Sequence, residues 1–95
     1  MSVDKNIKLA LFMGMEKKYS YLHGNIVYVS GFSTYSEDEL KYNSSFNWIV
    51  PVAQEIVYKY QSISDEFDKK YKENPYDLKH IYNCCVEFVD DIKNR

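Results

Sequence analysis

No apolar run in this sequence approaches the roughly 18 residues that span a bilayer as a helix. With only three glycines, there is no glycine-rich loop to cradle a phosphate. The only two cysteines, Cys84 and Cys85, are adjacent in sequence. Neighbouring cysteines rarely bridge each other, and two thiols cannot complete a tetrahedral metal site, so both are expected as reduced thiols with at least one in the core. Basic residues are not in excess: 12 Lys and Arg face 14 Asp and Glu, for a net charge of −2. A duplex-binding protein carries a basic face, so direct duplex DNA binding is not expected. The first residues, MSVDKNIKLALFMGMEKK, have an early acidic residue and no small-residue cleavage site. The expectation is therefore no signal peptide, no membrane association and a cytoplasmic protein, that of the host cell.

What is present is ordinary for a globular chain, with one exception. Hydrophobic residues make up 45% and charged residues 27% of 95 residues, enough for one small domain spanning 1–95. The exception is ten tyrosines beside five phenylalanines and one tryptophan. Tyrosine offers a large contact area at low rotamer cost, so part of this surplus points to a contact surface.

The pattern of apolar residues predicts an α+β fold, a β-hairpin or small antiparallel sheet covered by three to four helices. A helix is expected over 3–13, ended by Gly14, with Val3, Ile7, Ala10 and Leu11 on one face and Leu9, Phe12 and Met13 elsewhere. Its last turn is apolar nearly all round, which calls for cover on two sides. The segment YSYLHGNIVYVSG, 19–31, reads as a β-hairpin turning at HGN, with Ile26 and Tyr28 on one face and Val27 and Val29 on the other. His23 in that turn reads as solvated. Residues 32–45 are polar and without clear periodicity, with a short helical turn around 37–42. The clearest amphipathic helix is 48–63, with Ile49, Val50, Ala53, Ile56, Val57, Tyr60 and Ile63 on one stripe. Pro51 lacks an amide donor, so the helix should begin near Trp48, which is expected to be largely buried. A short helix over 63–73 and a final one from Asn74–Pro75 through 92 follow. The last carries Leu78, Ile81, Tyr82, Cys85, Phe88, Val89 and Ile92 on its buried stripe, with His80 facing away.

No catalytic constellation emerges, and the chain is not expected to be an enzyme. His80 and Cys84 are four apart and could touch on one helix, but nothing supplies an oxyanion hole. Glu37, Asp38 and Glu39 lack the glycine and spacing of a calcium loop. No cofactor or metal site is expected. The candidate partner-binding residues are Tyr35 and Tyr42, the acidic run Glu37, Asp38 and Glu39 between them, and Tyr58 on the polar face of the 48–63 helix. Aromatic anchors beside charges are typical of binding surfaces.

Three segments taken together, NIKLALFMG (6–14), YNSSFNWIVPVAQEI (42–56) and NCCVEFV (83–89), resemble small proteins of Bacteroidota phages, similar to the phage ABA-sandwich domain family. The shared features are Met13-Gly14 closing the first helix, Trp48 leading into Pro51-Val52, and Val86-Glu87-Phe88 in the last helix. The sequence departs from that pattern over 62–75, where relatives carry further strands and SISDEFDKKYKEN reads as helical. The resemblance implies a phage setting. In that setting, a small acidic protein without catalytic groups is expected to be an anti-defence inhibitor of the anti-CRISPR kind. It would bind a bacterial defence effector protein or its guide complex, with the acidic loop engaging a basic channel. The alternatives are a sponge for a cyclic nucleotide signal and a phage structural or accessory protein. The sponge would use Lys17, Lys18, Tyr19 and Tyr21 at the interface of a homodimer.

Overall fold

A computed structural model describes residues 2–22 and 24–93. His23 and its expected solvated position lie outside the described residues. The elements run α1 (Ser2–Phe12), β1 (Glu16–Ser20), β2 (Asn25–Ser30), β3 (Ser33–Tyr35), a 3₁₀ turn (Glu37–Glu39), α2 (Phe46–Lys59), α3 (Asp65–Glu73) and α4 (Leu78–Lys93). The result is the expected α+β architecture, a three-stranded antiparallel sheet in the order β1-β2-β3 with four helices.

Gly14 ends α1 as the sequence implies. It takes φ +89°, the Gly14 amide donates to Leu11 at 3.1 Å, and the Met15 amide reaches back to Ala10 at 3.0 Å. These two bonds form a Schellman closure, which needs the left-handed residue that glycine supplies. The buried face of α1 differs from expectation. Leu9 and Ala10 are fully buried, whereas Val3 and Leu11 are exposed. Asn6 decides this: it is 4% exposed, and its Nδ2 donates to the Leu40 carbonyl and to Asn43 Oδ1, both at 3.0 Å. A polar anchor on the face of Leu9 rotates Val3 and Leu11 outward. The apolar last turn is covered only in part: the Phe12 ring stacks 6.0 Å from Tyr60, whereas Leu11 is exposed.

The 19–31 hairpin is present, and its first strand starts earlier, at Glu16. A third strand lies where a polar loop was expected. Ser30 and Ser33 pair across a two-residue turn, Gly31-Phe32, in which Gly31 takes φ +60°. Positive φ at the first central residue alone is the type II′ pattern that matches strand twist. Tyr28, 1% exposed, carries the sheet into the core.

Helix α2 begins at Phe46, two residues before Trp48, so Pro51 sits at the sixth helical position. There it removes the bond that would reach the Asn47 carbonyl. Pro51 and Asn47 are both exposed, so water can take that carbonyl. The helix stops at Lys59, with Tyr60 as its cap. Its buried stripe is Ile49, Val52, Ala53 and Ile56, while Val57 and Ile63 are exposed. Trp48 is half-buried rather than largely buried. Within 62–75 the chain forms helix α3 rather than a strand, over Asp65–Glu73 and so two residues later at its start than expected. Helix α4 is the central one, packed by α1, α2 and α3. It buries Ile81, Tyr82, Cys85, Phe88 and Val89 of the expected stripe and also Cys84 and Val86, while Leu78 and Ile92 are half-buried. Edge-to-face contacts of Phe88 with Tyr60 (5.5 Å) and Phe67 (5.7 Å) join α2, α3 and α4.

Candidate protein-binding site

The six candidate residues fall in three separate places. Tyr35 at the end of β3 and Tyr42 ahead of α2 converge on Trp48. Their rings meet it edge-on, with centroids at 5.0 Å and 5.1 Å. This convergence buries Tyr42 to 2% exposure, so the expectation of an exposed contact residue is wrong there. Burial pushes its phenol up to about 12. Tyr35 is half-buried against the same indole. The two tyrosines serve the packing of the sheet against α2, with an open cavity of about 300 Å³ beside Met13, Trp48 and Pro51.

The acidic run forms the 3₁₀ turn. Glu39 Oε1 accepts from the Ser36 amide at 2.9 Å and from its hydroxyl at 3.0 Å, a capping box. Glu37 is half-buried, while Asp38 and Glu39 face solvent. The turn is fixed to α1 through the Asn6–Leu40 bond. One of the three carboxylates therefore has a local structural partner, and the run is a held corner rather than a free loop.

Tyr58 stands apart, 76% exposed on the outer face of α2. It borders a groove of about 370 Å³ between α2 and α3. Ala53, Val57, Phe67 and Tyr71 supply its apolar lining, and Gln54 and Gln61 its amides. This volume lies within the range of ligand and side-chain pockets. The charges nearby are internally paired, Lys72 with Asp68 and Lys59 with Glu55, both at 2.9 Å. Sequence reasoning found Tyr58 but missed Gln54, Val57, Gln61 and Tyr71. The signal was present: Gln54, Tyr58 and Gln61 recur at i, i+4 and i+7, an uncharged polar stripe on a face otherwise expected to be charged.

The thiols have little nucleophilic character. Burial is the main cause raising both Cys84 and Cys85, and Cys85 is the more strongly shifted. His80 does not point freely into solvent: its Nε2 lies 2.6 Å from the Lys70 carbonyl and 3.6 Å from Cys84 Sγ. It joins α3 to α4. Among the described residues, no three His, Cys, Asp or Glu side chains gather as a metal site requires. No helix among them is long and apolar enough to cross a membrane.

Lys17, Lys18, Tyr19 and Tyr21 stand on or beside the exposed β1 strand. Tyr19 and Tyr21 meet edge-on at 5.1 Å, and Lys18 pairs with Glu16 at 3.2 Å. Tyr21 is 92% exposed, and none of the four lines the cavities described above. The chain matches no protein-family model, no curated protein and no solved structure.

Proposed function

We propose that this chain is a non-enzymatic binding protein that inhibits a protein effector, with Tyr58 and the α2–α3 groove as its anchor point. The observation that carries this reading is the pairing of an exposed aromatic with an adjacent apolar groove whose nearby charges are already neutralised. Interface energy concentrates in such features, because a buried aromatic anchor displaces water without stranding a charge. The burial that raises the Cys84 and Cys85 thiols supports binding over thiol chemistry. The resemblance to Bacteroidota-phage proteins supplies the setting, in which the effector is a bacterial defence protein or its guide complex. Tyr35 then supports the fold more than the interface, and the acidic turn steers a basic partner toward the protein.

The test is phage plaquing on hosts carrying defined defence systems, including CRISPR nucleases. Wild-type protein should restore plaquing against at least one system. Tyr58→Ala should lose that rescue while keeping its melting temperature. A chain that rescues no system, or a Tyr58→Ala variant with full rescue, defeats this reading. Calorimetry against a panel of cyclic nucleotides should show no heat of binding; a clear isotherm would favour the sponge instead.

A further inference from the structure

Strand β1 is an open edge. It pairs with β2 on one side only, and four of its five residues are exposed. An unpaired edge offers a row of backbone donors and acceptors to another strand, and proteins commonly blunt it with lysine. Here the edge reads Glu16-Lys17-Lys18-Tyr19-Ser20, with both signs of charge. We propose that this edge is a self-docking surface: a second copy of the chain pairs with it antiparallel, β1 to β1, to make a continuous six-stranded sheet.

Charge selects the occupant and the register. A two-fold axis perpendicular to a sheet keeps each side chain on its own face, so the axis must pass through a residue. Centred on Lys17, the pairing sets Glu16 against the partner's Lys18, and Lys18 against the partner's Glu16. Glu16 and Lys18 share a face and already meet within one chain at 3.2 Å, so the dimer builds an alternating four-charge cluster there. On the other face, Tyr19 is set against the partner's Met15, again twice. Tyr19 is 57% exposed and Met15 half-buried, so both gain cover. The only unfavourable pair is Lys17 on its own symmetry mate, whose stems can splay outward. The neighbouring registers are worse. Centring on Glu16 opposes two glutamates, and centring on Lys18 opposes two lysines and leaves Glu16 facing serine. Directly opposed like charges destabilise a ladder and opposite charges stabilise it, so among these three registers the Lys17-centred one has the most favourable charge pairing, two attractive pairs against one repulsive. A five-residue edge buries less than a standard interface, which makes the dimer weak. This docking is independent of the Tyr58 groove, which lies on the helical side.

Sedimentation equilibrium up to about 300 µM, a range suited to weak interfaces, tests it. The native mass should climb from 11.3 kDa toward twice that value. Glu16→Lys and Lys18→Glu should each weaken association at least about fivefold, because two attractive pairs become repulsive. The double swap, Glu16→Lys with Lys18→Glu, should restore it. As a second measurement, mild oxidation should cross-link Lys17→Cys far faster than Lys18→Cys, since only position 17 lies on the axis within disulfide reach. The native thiols are buried and do not compete. A monomer throughout the range, no recovery in the double swap, or equal cross-linking at both positions overturns the proposal. A monomer that instead binds an acidic strand peptide would assign the edge to a foreign partner.

Discussion

The Asn6 carboxamide donates to the Leu40 carbonyl at 3.0 Å, joining the first helix to a loop 34 residues away. It also reaches Asn43, so a single side chain holds both ends of the segment that carries the acidic turn into Tyr42. Replacing it with alanine leaves the buried Leu40 carbonyl without this donor. We expect Asn6→Ala to cost about 1–3 kcal/mol, the scale of a stranded buried polar group. Chemical denaturation checks this, and an unchanged midpoint would detach α1 from that loop. Asn6→Leu should be no better, because it also lacks the donor.

The tyrosines divide into structural and exposed ones. Tyr42→Ala should cost about 3–5 kcal/mol, as for other buried aromatics, whereas Tyr58→Ala should shift stability by no more than about 0.5 kcal/mol. Trp48→Ala, removing a half-buried ring, should fall between them at about 2–3 kcal/mol. Thermal melts of the three variants give the order directly. A stable Tyr42→Ala protein would contradict its place beneath Trp48.

Pro51 costs α2 a hydrogen bond in its second turn. Pro51→Ala restores a donor to the Asn47 carbonyl and removes ring strain, at the expense of a more flexible unfolded chain. The net expectation is stabilisation by about 1–2 kcal/mol, read as a rise in denaturation midpoint. A loss of stability would mean that the Pro51 ring contributes packing beside Trp48 that outweighs the missing bond.

Stability should fall in alkali. Tyr42 ionises near 10.0 when unfolded but is held up to about 12 in the fold. Between those values the folded state holds the proton that the unfolded state has lost. Stability from this group is therefore intact below pH 10 and declines as pH rises toward 12, by at most about 1.4 kcal/mol per pH unit. Tyr28 and Tyr82 are raised in the same direction, chiefly by burial. Urea titrations at stepped pH should show Tyr42→Phe with a shallower alkaline decline than the native protein. Identical slopes would remove Tyr42 as a contributor.

Local chemistry alone determined much of the chain. The Met13-Gly14 helix end, the strand alternation through Ile26–Val29 and the apolar spacing of α4 each depend on neighbours within a few residues. Such signals are complete in the sequence. Tyr58 was legible for the same reason, being an aromatic on the polar side of a strong periodic stripe. The Gly31-Phe32 turn was written there too, but its strand is only three residues long and too short for periodicity to mark. Tertiary structure decided the rest. The burial of Tyr42 depends on Trp48 and Tyr35 arriving from other elements. The orientation of α1 depends on a carbonyl 34 residues distant, and the groove at Tyr58 on where α3 packs back across α2. Hydrophobic periodicity says which side of an element is covered, but not by what. An exposed-looking tyrosine becomes core, or stays exposed, according to partners that only the folded chain brings near.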